Sequence, residues 1–274
     1  MSAIELSPEL DAIKSRMKAT WMAGDFGVIA KQTEGPGEEF VSRLGIRPGM
    51  RVLDVACGTG NTALPAARIG AEVTGVDIAD NLIEQARSRA AEQGLSAKFE
   101  VGDAEALPYD DHSFDAIVTM FGAMFAPRPD VVVSEFKRVC KSGGMIAMAN
   151  WTPQSFPAQM FKLGSKYVPP PPGITPPVMW GDEETVGQRF SKGISDLKME
   201  RIKVMFRFDM PPADVVELFK TYFGPTQVAF SRLDEAGQDA LRQELVDLFT
   251  SKNLATDGGT ENEMEYLQVI ARTT

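Results

Sequence analysis

The stretch Arg51-Val52-Leu53-Asp54-Val55-Ala56-Cys57-Gly58-Thr59-Gly60-Asn61 constrains this chain more than any other. An apolar run that reads as a buried strand ends in a small, glycine-rich turn and passes straight into a helical pattern. Glycine lets backbone N–H groups approach a ligand with no side chain in the way, and the helix N-terminus is aimed at the same point. The stretch reads as a nucleotide cradle.

From Arg51 onward, strand and helix alternate across short turns, which forces a mainly parallel sheet with helices on both faces. The first helix covers Asn61 to Ile69 and stops at Gly70. A second strand, Glu72 to Asp77, ends on a carboxylate, and Asp80 is placed to cap the helix that runs to Gln93. Lys98–Val101 and Phe114–Met120 are further strands, Asp130–Cys140 a helix with Cys140 facing inward, and Met145–Asn150 a fifth strand. Before this core lie a helix over Glu9–Met22, a break at Gly24-Asp25-Phe26-Gly27 and a short helix over Glu38–Leu44. After it come a helix over Phe156–Val168 and an extended connector through Pro169–Gly173 and Pro176-Pro177. Ile202, Val204, Phe206 and Phe208 alternate with polar neighbours as on an edge strand. Pro212 then opens a helix ending at Gly224, Leu241–Phe249 marks another, and Tyr266–Arg272 is the last strand. The expected division is an N-terminal helical segment over 1–45, a cofactor-binding core over 46–151, and cap insertions with the last two strands over 152–274.

Ligands of an open parallel sheet sit beyond the carboxyl ends of its strands, so Asp54, Asp77 and Asp103 converge on one crevice. Asp77, with two oxygens side by side, suits both hydroxyls of a ribose. The turn lacks the third glycine that packs a dinucleotide-binding helix close under a pyrophosphate, which disfavours a nicotinamide-dependent oxidoreductase.

Taken in order, these residues resemble the motifs of class I S-adenosylmethionine-dependent methyltransferases, closest to the ubiquinone/menaquinone-biosynthesis type with its small-molecule relatives. The motifs are Val52–Asn61, Val76-Asp77-Ile78, Gly102–Pro108 with Ser113-Phe114-Asp115, Arg138-Val139 and Gly143-Gly144. The resemblance implies an α/β Rossmann-like fold with a seven-stranded, mainly parallel sheet, its last strand antiparallel, beneath a helical and proline-rich cap. It implies S-adenosylmethionine as cofactor, S-adenosylhomocysteine as product, and no metal. Gly58, Gly60 and Asn61 would then approach the methionine part beside Asp54, with Asp77 on the ribose. Ile78 and Leu82 would pack on the adenine, Asp103 and the Ala104 N–H would meet its edge, and Met120 would lie under the sulfonium. Ala56 stands where the usual D-x-G-x-G-x-G has its first glycine; its methyl group is the smallest intrusion available, so binding is expected to survive.

The acceptor is less constrained. The single histidine, His112, lies in a polar turn, and Tyr167, Asp182, Glu183 and Glu184 have no strong claim to be a base, so no catalytic residue is assigned. Met120, Phe121, Met124, Phe125, Trp151, Met179 and Trp180 follow strand ends or sit in the proline-rich segment, where an apolar pocket would form. Trp21 and Phe26 are placed to close over the cofactor. A net charge of -10 argues against nucleic acid or anionic membrane as partner. With no leader or membrane-length apolar run, the expected setting is cytoplasmic. The sequence sets no oligomeric state. The rival reading is a protein of this fold that binds the cofactor without methylating.

Overall fold

The computed structural model describes residues 8–171 and 173–274; Met1–Ser7, read above as free of a leader, and Pro172 of the connector lie outside them. Three helices precede the sheet: α1 (Pro8–Met22), α2 (Phe26–Ala30) and α3 (Glu34–Arg43). The break at Gly24 is real, but Asp25 restarts the chain as a helix, because its side chain accepts from the Gly27 N–H and caps α2.

The core then runs β1 (Arg51–Val55), α4 (Ala63–Arg68), β2 (Glu72–Asp77), α5 (Asp80–Glu92), β3 (Ala97–Val101), β4 (Phe114–Met120), α6 (Pro129–Val139) and β5 (Cys140–Trp151). These five strands are mutually parallel. Val52 to Val55 are all buried, as expected of a strand covered on both faces. Cys140 is not on a helix: it opens β5 and pairs with Phe114.

The rest of the chain contributes α7 (Phe156–Tyr167), α8 (Glu183–Arg189), β6 (Ile194–Phe208), α9 (Pro212–Tyr222), α10 (Gly224–Ser231), α11 (Glu235–Ser251) and β7 (Thr260–Thr273). The sheet order is β3-β2-β1-β4-β5-β7-β6, with β7 antiparallel to both neighbours and β6 at the edge its alternation announced. Right-handed crossovers step outward from β1 toward β3 and, in the opposite sense, from β4 toward β5. The helices therefore cover opposite faces, and the direction reverses between β1 and β4. A crevice opens at that switch point, beyond the carboxyl ends of both strands.

Gly224 does not end a helix as its type suggested; it begins α10. A Cβ there would stand 1.9 Å from the Thr20 carbonyl oxygen, so only glycine lets α10 approach α1 this closely. Gly24 makes a similar approach, 2.7 Å from the Tyr222 carbonyl oxygen, and bridges to Phe223. The N-terminal segment is thereby pinned to the cap. Gly224→Val should cost about 1–3 kcal/mol and loosen that pin. Limited proteolysis would then cut near residues 20–30 before the sheet, and a cleavage pattern equal to wild type would refute the account.

Candidate functional site

The crevice is a cavity walled from three directions. The core supplies Ala56, Gly58, Asn61, Asp77, Ile78, Leu82, Asp103, Ala104 and Met120, all of them expected. The N-terminal segment supplies Met17, Trp21, Phe26 and Thr33, and the cap and sheet edge supply Met160, Phe161, Phe206, Phe223 and Met264. Two expected wall residues stand elsewhere. Asp54 is wholly buried behind the wall, and Gly60 packs under the turn, with Leu64 and Phe99 beside it.

The Asp77 carboxylate organises the floor. One oxygen accepts from the Gly58 N–H at 2.9 Å and the other from the Ala79 N–H at 2.9 Å. These bonds tie the turn after β1 to the end of β2. Burial raises its pKa, and the backbone N–H bonds oppose that shift. Asp80, expected as the cap of α5, makes no capping bond, because it lies inside the helix and pairs with Lys18 at 2.5 Å.

Asp54 receives the Thr62 hydroxyl on one oxygen, while its Oδ1 is buried with no hydrogen-bond partner in the protein. Burial pushes its pKa up to about 7, and the neighbouring Asp77 charge adds to the effect. The Cys57 thiol is driven well above its ordinary value, first by burial and then by the two carboxylates, so it is inert here.

The turn carries strain. Ala56 has φ +54°, in the left-handed region that costs a non-glycine residue about 1–2 kcal/mol. Its methyl group fits because Gly122 lies opposite: a Cβ on Gly122 would stand 2.6 Å from it. Phe121, also left-handed at +58°, stacks on Trp151 with centroids 3.5 Å apart and planes 6° from parallel. That stack, with an edge contact to Tyr266, offsets the strain and brings the ring onto the cavity wall.

The N-terminal segment is fastened by polar contacts that the residue pattern did not announce. Lys14, nearly buried, meets Asp103 at 2.5 Å and Glu105 at 2.6 Å, and Glu105 also holds Arg128 at 2.8 Å. Asp103 is therefore already engaged by a cation rather than free to face a base edge alone. Asn61 lines the cavity, but its side chain is committed: it donates to the Ala30 carbonyl and Thr33 hydroxyl and accepts from Arg89.

The candidate bases lie away from the cavity. Tyr167 donates to Glu244, Asp182 caps α8, Glu183 pairs with Arg201, and His112 is exposed beside the Cys140 carbonyl. Of the expected acceptor-side residues, Met120, Phe121, Phe125 and Trp151 line the cavity, whereas Met124, Met179 and Trp180 do not. Among the described residues, no group of three or more His, Cys, Asp or Glu side chains is disposed to hold a metal ion. None of the described helices is long and apolar enough to cross a membrane.

A methyltransferase-domain family model matches residues 52–144, the span that holds the turn and all three carboxylates. A phosphatidylethanolamine N-methyltransferase of Cereibacter sphaeroides is 38% identical over 144 residues, 52% of this chain and 69% of that protein. The chain is a class I S-adenosylmethionine-dependent methyltransferase. An uncharacterized protein of Mycobacterium tuberculosis is 36% identical over 259 residues, 93% of each chain, so this methyltransferase also has a relative that shares its cap. The crystal structure of the YcgJ protein from Bacillus subtilis has the same fold, with a TM-score of 0.61 at 20% identity over 86% of this chain and 97% of that one.

Asp54 makes the unbound methyltransferase's stability depend on pH. A carboxyl whose folded pKa lies above its unfolded value holds an extra proton in the folded state, so its contribution falls as pH rises from about 4 to 7. The melting temperature of Asp54→Asn minus that of wild type should therefore grow over this range and level off above it, by a few kcal/mol in stability. A pH-independent difference would refute the assignment.

Proposed function

We propose that this methyltransferase moves the methyl group of S-adenosylmethionine to a small, largely apolar organic molecule, releasing S-adenosylhomocysteine. One observation carries the reading: the cavity wall combines polar groups, Gly58, Asp77 and Asp103, with an aromatic set, Phe121, Phe125, Trp151, Phe206 and Phe223, in which Trp151 packs on both Phe121 and Phe206. In this division the core over 46–151 holds the cofactor and, through Phe121, Phe125 and Trp151, part of the acceptor wall; the cap insertions and last two strands over 152–274 complete that wall, and Trp21 and Phe26 of the segment over 1–45 close over the cofactor.

The residues present fit the cofactor. Asp77 is locked in place by two N–H bonds and retains lone pairs for ribose hydroxyls. Ile78 and Leu82 offer an apolar face to the adenine, and Asp103 with the Ala104 N–H its edge. Ala56, Gly58 and Asn61 frame the place of the methionine part; Gly60 shapes that turn from beneath, and Met120 closes it from the end of β4. Asp54, with its unpartnered oxygen one layer back, suits a cation held at the turn. Bound there, the cofactor supplies an electrophilic methyl group.

The chain's own contribution is alignment and exclusion of water. Among the described residues, the titratable side chains on the cavity wall are Cys57, Asp77 and Asp103, which lie at the cofactor turn and the ends of β2 and β3. Among the described residues the aromatic wall thus carries no titratable side chain to take a proton, and the acceptor brings a nucleophile that is reactive as it arrives. The acidic net charge argues against a nucleic-acid acceptor. The free, buried Cys57 and Cys140 support a reducing, cytoplasmic setting.

Calorimetric titration should show donor binding, weakened about a hundredfold by Asp77→Ala through loss of charge-assisted hydrogen bonds. No binding, or no loss, would overturn the reading; a bound donor with no methylated product by mass spectrometry would favour the non-methylating alternative. Because a cation at the turn returns Asp54 to its ionised form, binding should release a proton near pH 7. Affinity should then rise between pH 6 and 7 and flatten above, and Asp54→Asn should remove the dependence.

A further inference from the structure

Beneath the cap lies a second cavity, of about 540 Å³, within the size range of small-molecule sites. Its wall comes from α7, the proline-rich segment, α10 and α11, and is apolar almost throughout: Val168, Ile174, Val178, Val228, Leu241 and Leu245 among others. Among the described residues, its one charged wall residue, Lys162, is solvent-exposed. Met160, Phe161 and Phe223 line this cavity and also the first, where Phe161 packs edge-on against Phe125. These three side chains therefore stand as a partition between two apolar spaces.

Gly164 lies on the wall of this cavity. It sits inside α7, where glycine costs about 1 kcal/mol relative to alanine, yet a Cβ there would meet nothing within 4 Å. Neither backbone geometry nor packing requires glycine at this position. A side chain placed there therefore has open space beside the cavity wall.

We propose that the second cavity receives an aliphatic chain of the acceptor, whose reactive end lies against the aromatic set of the first cavity, with Met160, Phe161 and Phe223 as the gate between them. This rests on the methyl-transfer reading above. An unbranched chain suits a wall with so little hydrogen-bonding capacity, since any polar substituent buried there would lose its partners in water. Met160 is the adaptable member of the gate, with three rotatable bonds that let it swing aside.

The test uses para-n-alkylphenols, methyl through octyl, titrated calorimetrically into the full-length protein saturated with S-adenosylhomocysteine. In wild type, each added methylene that enters the cavity should tighten binding by about fourfold. Gly164→Phe, which fills the cavity from a position with open space, should abolish that gain for the longer chains. It should leave the affinity of the methyl member and of S-adenosylhomocysteine unchanged. Val228→Trp, filling from the opposite wall, should do the same. An affinity independent of chain length in wild type, or the same gain per methylene in both variants, would overturn the proposal. Failure of S-adenosylhomocysteine itself to bind would instead sink the methyl-transfer reading.

Discussion

The structure depends on one carboxylate with two main-chain partners. Asp77 receives the N–H of Gly58 from one strand's turn and the N–H of Ala79 from the start of the next helix. A buried carboxylate costs several kcal/mol unless hydrogen bonds compensate it, and these two bonds do so while fixing the separation of β1 and β2 at their carboxyl ends. The same bonds that satisfy Asp77 tie the turn after β1 to the end of β2 and so set the floor of the crevice.

Strain is concentrated at the other side of that crevice. Ala56 and Phe121 both adopt left-handed backbone, one after β1 and one after β4, at the point where the strand order reverses. Each is compensated by a specific neighbour: Gly122 yields space to the Ala56 methyl, and Trp151 stacks on Phe121. The irregular residue of the glycine-rich motif is thus answered by a glycine far along the chain. Strain of this kind persists only where surrounding packing over-determines it, and here Gly122 and Trp151 of the core, with Tyr266 of β7, supply that packing.

Much of the fold was legible because its signals are local. The ends of β2 and β4 follow from where apolar runs meet Asp77 and the Met120–Phe121 turn, and the edge position of β6 from its period of two. Misreadings occurred where local chemistry has two solutions. Gly224 is as good a helix stop as a helix start, and a close contact with Thr20 decides between them. Asp80 resembles a cap, but Asp77 already bonds the first amide of that turn. Cys140 continues a helical periodicity, but pairing with Phe114 draws it into the sheet.

By itself the sequence determined the glycine-rich turn, the carboxylate inside the first strand, those at or just after the ends of the next two and, through their order, the family and its cofactor. Those features lie within one βαβ rhythm, where spacing along the chain translates directly into position in space. Only the tertiary structure decided that Lys14 engages Asp103, that Asn61 clamps the N-terminal segment, and that Phe206, Phe223 and Met264 face the same cavity as Met120. A residue's periodicity says that it points inward, but not which cavity it meets. That depends on crossovers and close backbone approaches between segments some two hundred residues apart, and no local pattern encodes them.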